Sequence, residues 1–291
     1  MTLSLDAIAR ESGTFAMVAM DQRESLRTML EQHHADADDA RMIRFKLAVA
    51  RELSPYASGF LIDRHYGFAE IVRERLVRSP CGLILAVDAL EQPPGGIVED
   101  TDVDEGADIA AVRDAGVVAL KLLVIWRDDE QRERRVAMSR RFVELARANG
   151  MLSVLEGVVR GPDGFDREAA ILEAARELAA TGCDLYKCEV PTHGRGASDE
   201  ITRWCREIDA AVTCPWVVLS QGVDPDAFPA AVAAACGGGA SGMLAGRAVW
   251  TATLPADDPT QLLREHSVPR LEELAEIVDA HGRPWREKGA T

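Results

Sequence analysis

Four ionisable residues stand where a folded chain ordinarily places an apolar side chain: Asp21 in VAMDQR, Lys121 in VALKLLV, Glu156 in SVLEGV and Lys187 in LYKCEV. Each interrupts a short run rich in β-branched and other apolar residues, and burying such a charge is costly unless it is paired or used. One such lysine is most often a solvated group at the end of a strand. Two lysines and two carboxylates are harder to dismiss, because a buried ion cluster stabilises a core no better than packed hydrophobes do. The chemistry that uses an amine beside carboxylates is imine formation: lysine attacks a ketone, the imine withdraws electrons, and a neighbouring carbon–carbon bond can break. The attacking amine must be uncharged, a form favoured by a nearby cation and an apolar wall. We therefore expect Lys187, flanked by Tyr186 and Cys188, to be the nucleophile and Lys121 the neighbouring cation. Glu156 would move protons during loss of water, and Asp21 would take the substrate hydroxyl whose deprotonation starts the cleavage.

These residues must be positioned by the elements that carry them. Strands are predicted near 15–22, 59–63, 82–89, 117–126, 151–159, 185–190, 216–223 and 242–249, separated by amphipathic stretches such as DDARMIRFKLAVARELS and FDREAAILEAARELAATG. Alternating strands and helices demand a parallel sheet, since each strand must cross over a helix before the next. Eight units of about thirty residues each, with no GxGxxG after the first strand, point to the α/β class and a single (β/α)8 TIM barrel rather than an open dinucleotide fold. The domain is expected to span 1–291, with 284–291 a frayed tail. In such a barrel catalytic groups sit at the C-terminal ends of strands, and side chains alternate between the interior and the helix layer. If Leu120 and Leu122 pack against helices, Lys121 points inward; Lys187 shares a face with Leu185 and Glu189.

The seventh and eighth predicted strands end in LSQGVD and LAGRAVW. Loops at these two positions commonly hold a phosphate, glycine letting backbone N–H groups approach and arginine supplying a fork. Ser220, Gly222, Gly246 and Arg247 are therefore the candidate phosphate ligands; either glycine alone would say no more than a turn. For a second anionic group the candidates are Gln22 and Arg23 after the first strand and Arg64 and His65 after the second.

A formal net charge of -15 over 291 residues disfavours nucleic acid and acidic membrane as partners, since both need a basic face. An anionic small molecule must then be met by a local cationic pocket. With no basic leader before an apolar core and no apolar run of membrane-spanning length, the expected location is the cytoplasm. Six cysteines without a CxxC pair and six histidines without HExxH spacing read as core and surface residues, so neither a metal nor another cofactor is expected. Barrels of this kind often associate, and a homo-oligomer is expected.

Taken together, MDQRESLRTM, ALKLLVIWRDDE, LYKCEVP, WVVLSQGVD and GASGMLAGRAVW resemble the class I aldolases that include tagatose 1,6-bisphosphate aldolase and sulfofructosephosphate aldolase. The resemblance runs from about Ala19 to Ile277. Within that family ALKLLVIWR, FDREAAI and PWVVLSQGVD are more similar to the sulfofructosephosphate branch, although Gln221 stands where a smaller residue is expected and Cys188 where valine is. The resemblance implies Lys187 as the imine lysine and reversible cleavage of 6-deoxy-6-sulfofructose 1-phosphate to dihydroxyacetone phosphate and sulfolactaldehyde. The alternatives are tagatose or fructose 1,6-bisphosphate cleaved in the same way, and, in another class, a barrel that binds a sugar phosphate without turning it over.

Overall fold

In the computed structural model, which describes residues 3–34, 36–93 and 96–288, the apolar runs form β1 (Phe15–Met20), β2 (Gly59–Asp63), β3 (Gly82–Ala86), β4 (Asp88–Glu91), β5 (Asp100–Val103), β6 (Val117–Trp126), β7 (Leu152–Val159), β8 (Leu185–Glu189), β9 (Trp216–Leu219) and β10 (Gly242–Ala245). Eight of them close a parallel barrel in the order β1-β10-β9-β8-β7-β6-β3-β2, and β4 and β5 pair with each other as a separate antiparallel hairpin. The (β/α)8 TIM barrel expected from the alternation is the fold. Aspartates start several of the crossover helices as the sequence pattern implied. The Asp38, Asp108 and Asp166 carboxylates accept from the backbone N–H groups of Arg41, Ala111 and Ala169, caps worth about 1 kcal/mol each.

Strand parity sorts the core into two shells. Met17, Leu61, Ile84, Ala119, Val154, Leu185, Val217 and Leu244 fill the barrel interior. Leu120, Leu122, Tyr186 and Cys188 face the helices with Phe142 and Leu178. At roughly 1.5–3 kcal/mol per fully buried large apolar side chain, this two-sided burial holds the strands in register. Lys121 and Lys187 therefore point inward, as the alternation required.

Four expectations change. The seventh strand, predicted over 216–223, stops at Leu219. The third strand, predicted over 82–89, stops at Ala86. Val87 makes the last ladder contact, its N–H donating to the Lys121 carbonyl at 3.0 Å and its carbonyl accepting from Asp104 N–H at 2.7 Å, and the chain then leaves the barrel as the β4–β5 hairpin. The eighth strand, predicted over 242–249, stops at Ala245, and Arg247 opens the short helix Arg247–Trp250, anchored by Trp250 Nε1 donating to the Ala19 carbonyl at 3.1 Å. The tail expected to fray is docked over its described part: Trp285 N–H donates to the Gly13 carbonyl at 2.9 Å and Lys288 Nζ to Asp209 Oδ1 at 2.6 Å. Residues 289–291 lie outside the described part.

The seam between β10 and β1 needs glycine. Gly242 has φ +140°, and a Cβ there would lie 2.0 Å from the Phe15 carbonyl oxygen. Gly242→Ala is expected to lower the unfolding free energy by about 3 kcal/mol, read as a denaturant midpoint. A loss under about 1 kcal/mol would mean that the seam can open without harm to the barrel.

Candidate active site

At the C-terminal ends of the strands a cavity of about 380 Å³ is lined by Asp21, Lys121, Glu156 and Lys187 together. Register explains why they meet. Glu156 pairs with Lys187 on β7 and β8 and with Leu123 on β6, and Lys121 stands two residues before Leu123 on the same face, so the three charged side chains leave neighbouring inward positions. Lys121 Nζ lies 2.7 Å from Asp21, 2.8 Å from Glu156 and 3.0 Å from Asp88. The other oxygen of Glu156 is 2.9 Å from Lys187 Nζ. Both lysine side chains are under 5% exposed, at 2% and 4%.

The expected picture of two apposed cations is thus modified: a carboxylate stands between them. Burial by itself disfavours the Lys121 ammonium, but Asp21, Asp88 and Glu156 overcome it and hold the group charged well above the ordinary lysine range. Burial likewise works against ionised Asp21 and Glu156, and the ammoniums of Lys121 and Lys187 reverse that, holding both carboxyls below the usual range. All three groups are ionised at neutral pH.

Ser220, Gly222, Gly246 and Arg247 line the same cavity, as do Gln22 and Arg23. Gly222 adopts φ +77°, and the place of its missing Cβ is taken by the His193 ring, whose Nδ1 would be 2.4 Å from it. His193 and Thr192 are themselves left-handed, at φ 51° and 54°, in the turn that follows the lysine strand. Arg247 makes no ion pair within 4.0 Å among the described residues, and burial lowers its affinity for its proton while Glu156 and Asp21 oppose that effect. Arg23 is engaged instead, with Nη2 2.6 Å from Asp88.

Arg64 and His65 are not brought to the site. The Asp63 carboxylate pairs with buried Lys46 and accepts from the His65 and Tyr66 N–H groups at 2.8 and 2.9 Å, which turns the chain away from the mouth. Arg64 lies 2.7 Å from Asp104 at the rim, and His65 Nε2 approaches the same carboxylate at 4.0 Å. Asp88, absent from the residues that the strand pattern singles out, is 3% exposed and bonded to both Lys121 and Arg23. Its signal was an acid directly after an apolar strand. Arg160 and the hairpin residues Leu90, Gln92 and Ile97 also line the cavity.

Comparison with known proteins decides what this geometry belongs to. The family model described as "DeoC/LacD family aldolase" matches residues 15–252. The chain belongs to the DeoC/LacD aldolase family. It is 26% identical to tagatose 1,6-diphosphate aldolase 2 of Streptococcus pyogenes serotype M1, over 99% of this chain and 100% of that one. To tagatose 1,6-diphosphate aldolase of Staphylococcus epidermidis it is 25% identical, over 98% and 97%. Among solved structures it resembles the fructose-bisphosphate aldolase of Slackia heliotrinireducens, with a TM-score of 0.66 at 19% identity over 95% of this chain and 88% of that one. An archaeal fructose 1,6-bisphosphate aldolase superposes with a TM-score of 0.60 at 16% identity, over 95% and 98%. The chain is a class I aldolase, an enzyme that makes or breaks a carbon–carbon bond. Among the described residues no helix is long and apolar enough to cross a membrane, and no group of three or more His, Cys, Asp or Glu is placed to hold a metal ion.

The cluster has a definite pH signature. The depressed carboxyls of Asp21 and Glu156 contribute stability that is present above their unfolded pKa values near about 4 and is lost as pH falls through the folded values. Lys121, raised, contributes stability present below about 10.4 and lost only as pH rises through its folded value. Lys121→Met in this aldolase leaves Asp21, Asp88 and Glu156 with Lys187 and Arg23 as their remaining cations and is expected to cost about 3–5 kcal/mol at pH 8. The deficit against wild type should shrink as pH falls to 5 and one of those carboxyls takes a proton, as followed by urea midpoints across that range. A deficit that stays constant would show that the three carboxylates do not depend on this ammonium.

Proposed function

We propose that the enzyme cleaves a ketose 1-phosphate carrying a second anionic group at C6, foremost 6-deoxy-6-sulfofructose 1-phosphate, giving dihydroxyacetone phosphate and sulfolactaldehyde through an imine on Lys187. The observation that carries this reading is a buried amine, 2.9 Å from a carboxylate, in one cavity with Ser220, Gly222, Gly246 and Arg247. Lys187 passes a proton to Glu156 and its amine adds to the C2 ketone. Glu156 returns the proton to the carbinolamine hydroxyl, which leaves as water. Asp21, held ionised, takes the C4 hydroxyl proton; the C3–C4 bond breaks and its electrons move into the iminium as an enamine. Protonation at C3 and hydrolysis then release dihydroxyacetone phosphate and restore the amine. Lys121 keeps Asp21 and Glu156 charged and apart.

The C1 phosphate is assigned to the arc of Ser220, Gly222, Gly246 and Arg247. Two features support a sulfonate at the other end. The segments quoted above resemble the sulfofructosephosphate branch, and Arg23, one of the cations expected to meet the second anion, is already bonded to Asp88. A sulfonate carries one charge, whereas a phosphate monoester approaches two at neutral pH. The second reading, cleavage of tagatose or fructose 1,6-bisphosphate, is favoured by the relatives that bear the name tagatose 1,6-diphosphate aldolase.

Incubation with dihydroxyacetone phosphate and borohydride is expected to inactivate the enzyme and leave a mass adduct on the Lys187 peptide, while Lys187→Met is not labelled and loses at least about 10³-fold in kcat. An active enzyme with an unmodified Lys187 peptide rules the mechanism out. Measured side by side, kcat/KM should be higher for the sulfonate; a preference of about tenfold or more for either bisphosphate reverses the ranking.

A further inference from the structure

We propose that Arg160 receives the anionic group at C6 of the substrate and so sets the preference of the site for a ketose charged at both ends. This rests on the Schiff-base reading above and names the residue that the sequence could not. Three arginines line the cavity: Arg23, Arg160 and Arg247. Arg23 is held by Asp88 at 2.6 Å. Buried arginines elsewhere in the protein also carry carboxylates, Arg135 with Asp129 at 2.6 Å and Arg167 with Glu189 at 3.1 Å. Arg160 and Arg247 have no ion pair within 4.0 Å among the described residues. Both are half-buried, and a guanidinium partly withdrawn from water without a carboxylate is completed by an anion; this cavity holds two such groups.

Their placement fits one molecule bound at both ends. Around the barrel β10, β9, β8 and β7 are consecutive neighbours. Arg247 follows β10 and Arg160 follows β7, so the two flank Lys187 on β8. Arg160 also stands on the face of its strand that bears Glu156 and Val158, because its N–H extends the ladder by one rung to the Trp126 carbonyl at 2.9 Å. Four residues at about 3.3 Å each place its backbone roughly 13 Å along the strand from Glu156, towards the mouth, where its side chain joins the cavity lining. The surface between is apolar, formed by Ile125, Val158, Leu219 and Val98, and an ion pair above such a wall is strengthened by poor solvation.

The arginine is also held in advance. Its Nη1 donates to the Val159 carbonyl at 2.9 Å. The Val159 N–H is in turn bound by the buried Glu189 carboxylate at 2.7 Å, itself fixed by Arg167. The next residue, Gly161, lies under the Phe165 ring so closely that a Cβ would be 2.5 Å from it. Arg160 Nε is buried with no partner. One donor of five is thus committed to the protein, leaving the fork to a ligand.

The test compares two substrates in wild type, Arg160→Gln and Arg160→Lys. One is the doubly anionic ketose, run as both 6-deoxy-6-sulfofructose 1-phosphate and fructose 1,6-bisphosphate; the other is fructose 1-phosphate, which has no charge at C6. The ratio of kcat/KM for the doubly anionic substrate over fructose 1-phosphate is expected to fall about 30-fold or more in Arg160→Gln, with Arg160→Lys between it and wild type. The arm showing the larger fall identifies the anion for which the arginine is fitted. A ratio within threefold of wild type in both arms overturns the assignment. Trapping by dihydroxyacetone phosphate and borohydride separates the possible failures. Wild type that gives no Lys187 adduct overturns the Schiff-base reading itself, whereas a trapped wild type with an unmoved ratio overturns Arg160 alone. If Arg160→Gln is not trapped, Arg160→Lys decides: a fall of about threefold or more supports the assignment, and no change rejects it.

Discussion

The Glu156 carboxylate touches two ammonium groups at once, one oxygen on Lys121 and the other on Lys187, and the site is organised around that contact. Two lysines inside a barrel repel each other and lose hydration; a carboxylate between them cancels the first effect and supplies hydrogen bonds against the second. In the mechanism proposed above, the same carboxylate that pairs with Lys187 would also receive its proton. Asp21 and Asp88 complete the arrangement by meeting the other protons of Lys121. Lys121 thereby becomes a fixed positive centre with three carboxylates around it, whereas Lys187 meets one.

A closed parallel barrel meets this demand because it brings strands distant in sequence to one axis. Asp21 and Lys121 are a hundred residues apart along the chain, yet their side chains are hydrogen-bonded at 2.7 Å. The interior below them is apolar, and the chain above them departs in loops. Charges at the strand ends are therefore buried on one side and open to a ligand on the other, where electrostatic interactions are strong and solvent is scarce. The β4–β5 hairpin extends this enclosure, bringing Leu90, Gln92 and Ile97 to the cavity wall, with Ile97 62% exposed.

Much of this was legible in the order of residues. Charges embedded in β-prone runs marked Asp21, Lys121, Glu156 and Lys187, and parity with Ala119, Leu120, Leu122 and Leu185 indicated which way the lysines pointed. What escaped was whatever depended on where a strand stops. Asp88 looked like an ordinary polar end to the third strand, and the stretch DALEQPPGGIVEDTDV, broken by prolines and glycines, showed no clean alternation from which to read a hairpin. Arg64 and His65 occupy the sequence position of mouth residues, but the backbone bonds to Asp63 redirect them to Asp104. Arg160 was hidden for the opposite reason: it follows β7 like any rim arginine, and only the extra ladder bond to Trp126 shows that it still faces inward.

The turn after the lysine strand has Thr192, His193 and Gly194 in succession with positive φ, at 54°, 51° and 69°. For the first two residues that backbone is unfavourable, of order 1–3 kcal/mol each, and the His193 ring it presents occupies the space beside Gly222. The turn after β8 and the loop that carries Gly222 are therefore packed against each other. Selection for heat tolerance acting on this chain would find relief at 192 and 193, and the same relief would shift the His193 ring against Gly222 in the cavity wall, so robustness and the shape of the cavity compete at these two positions.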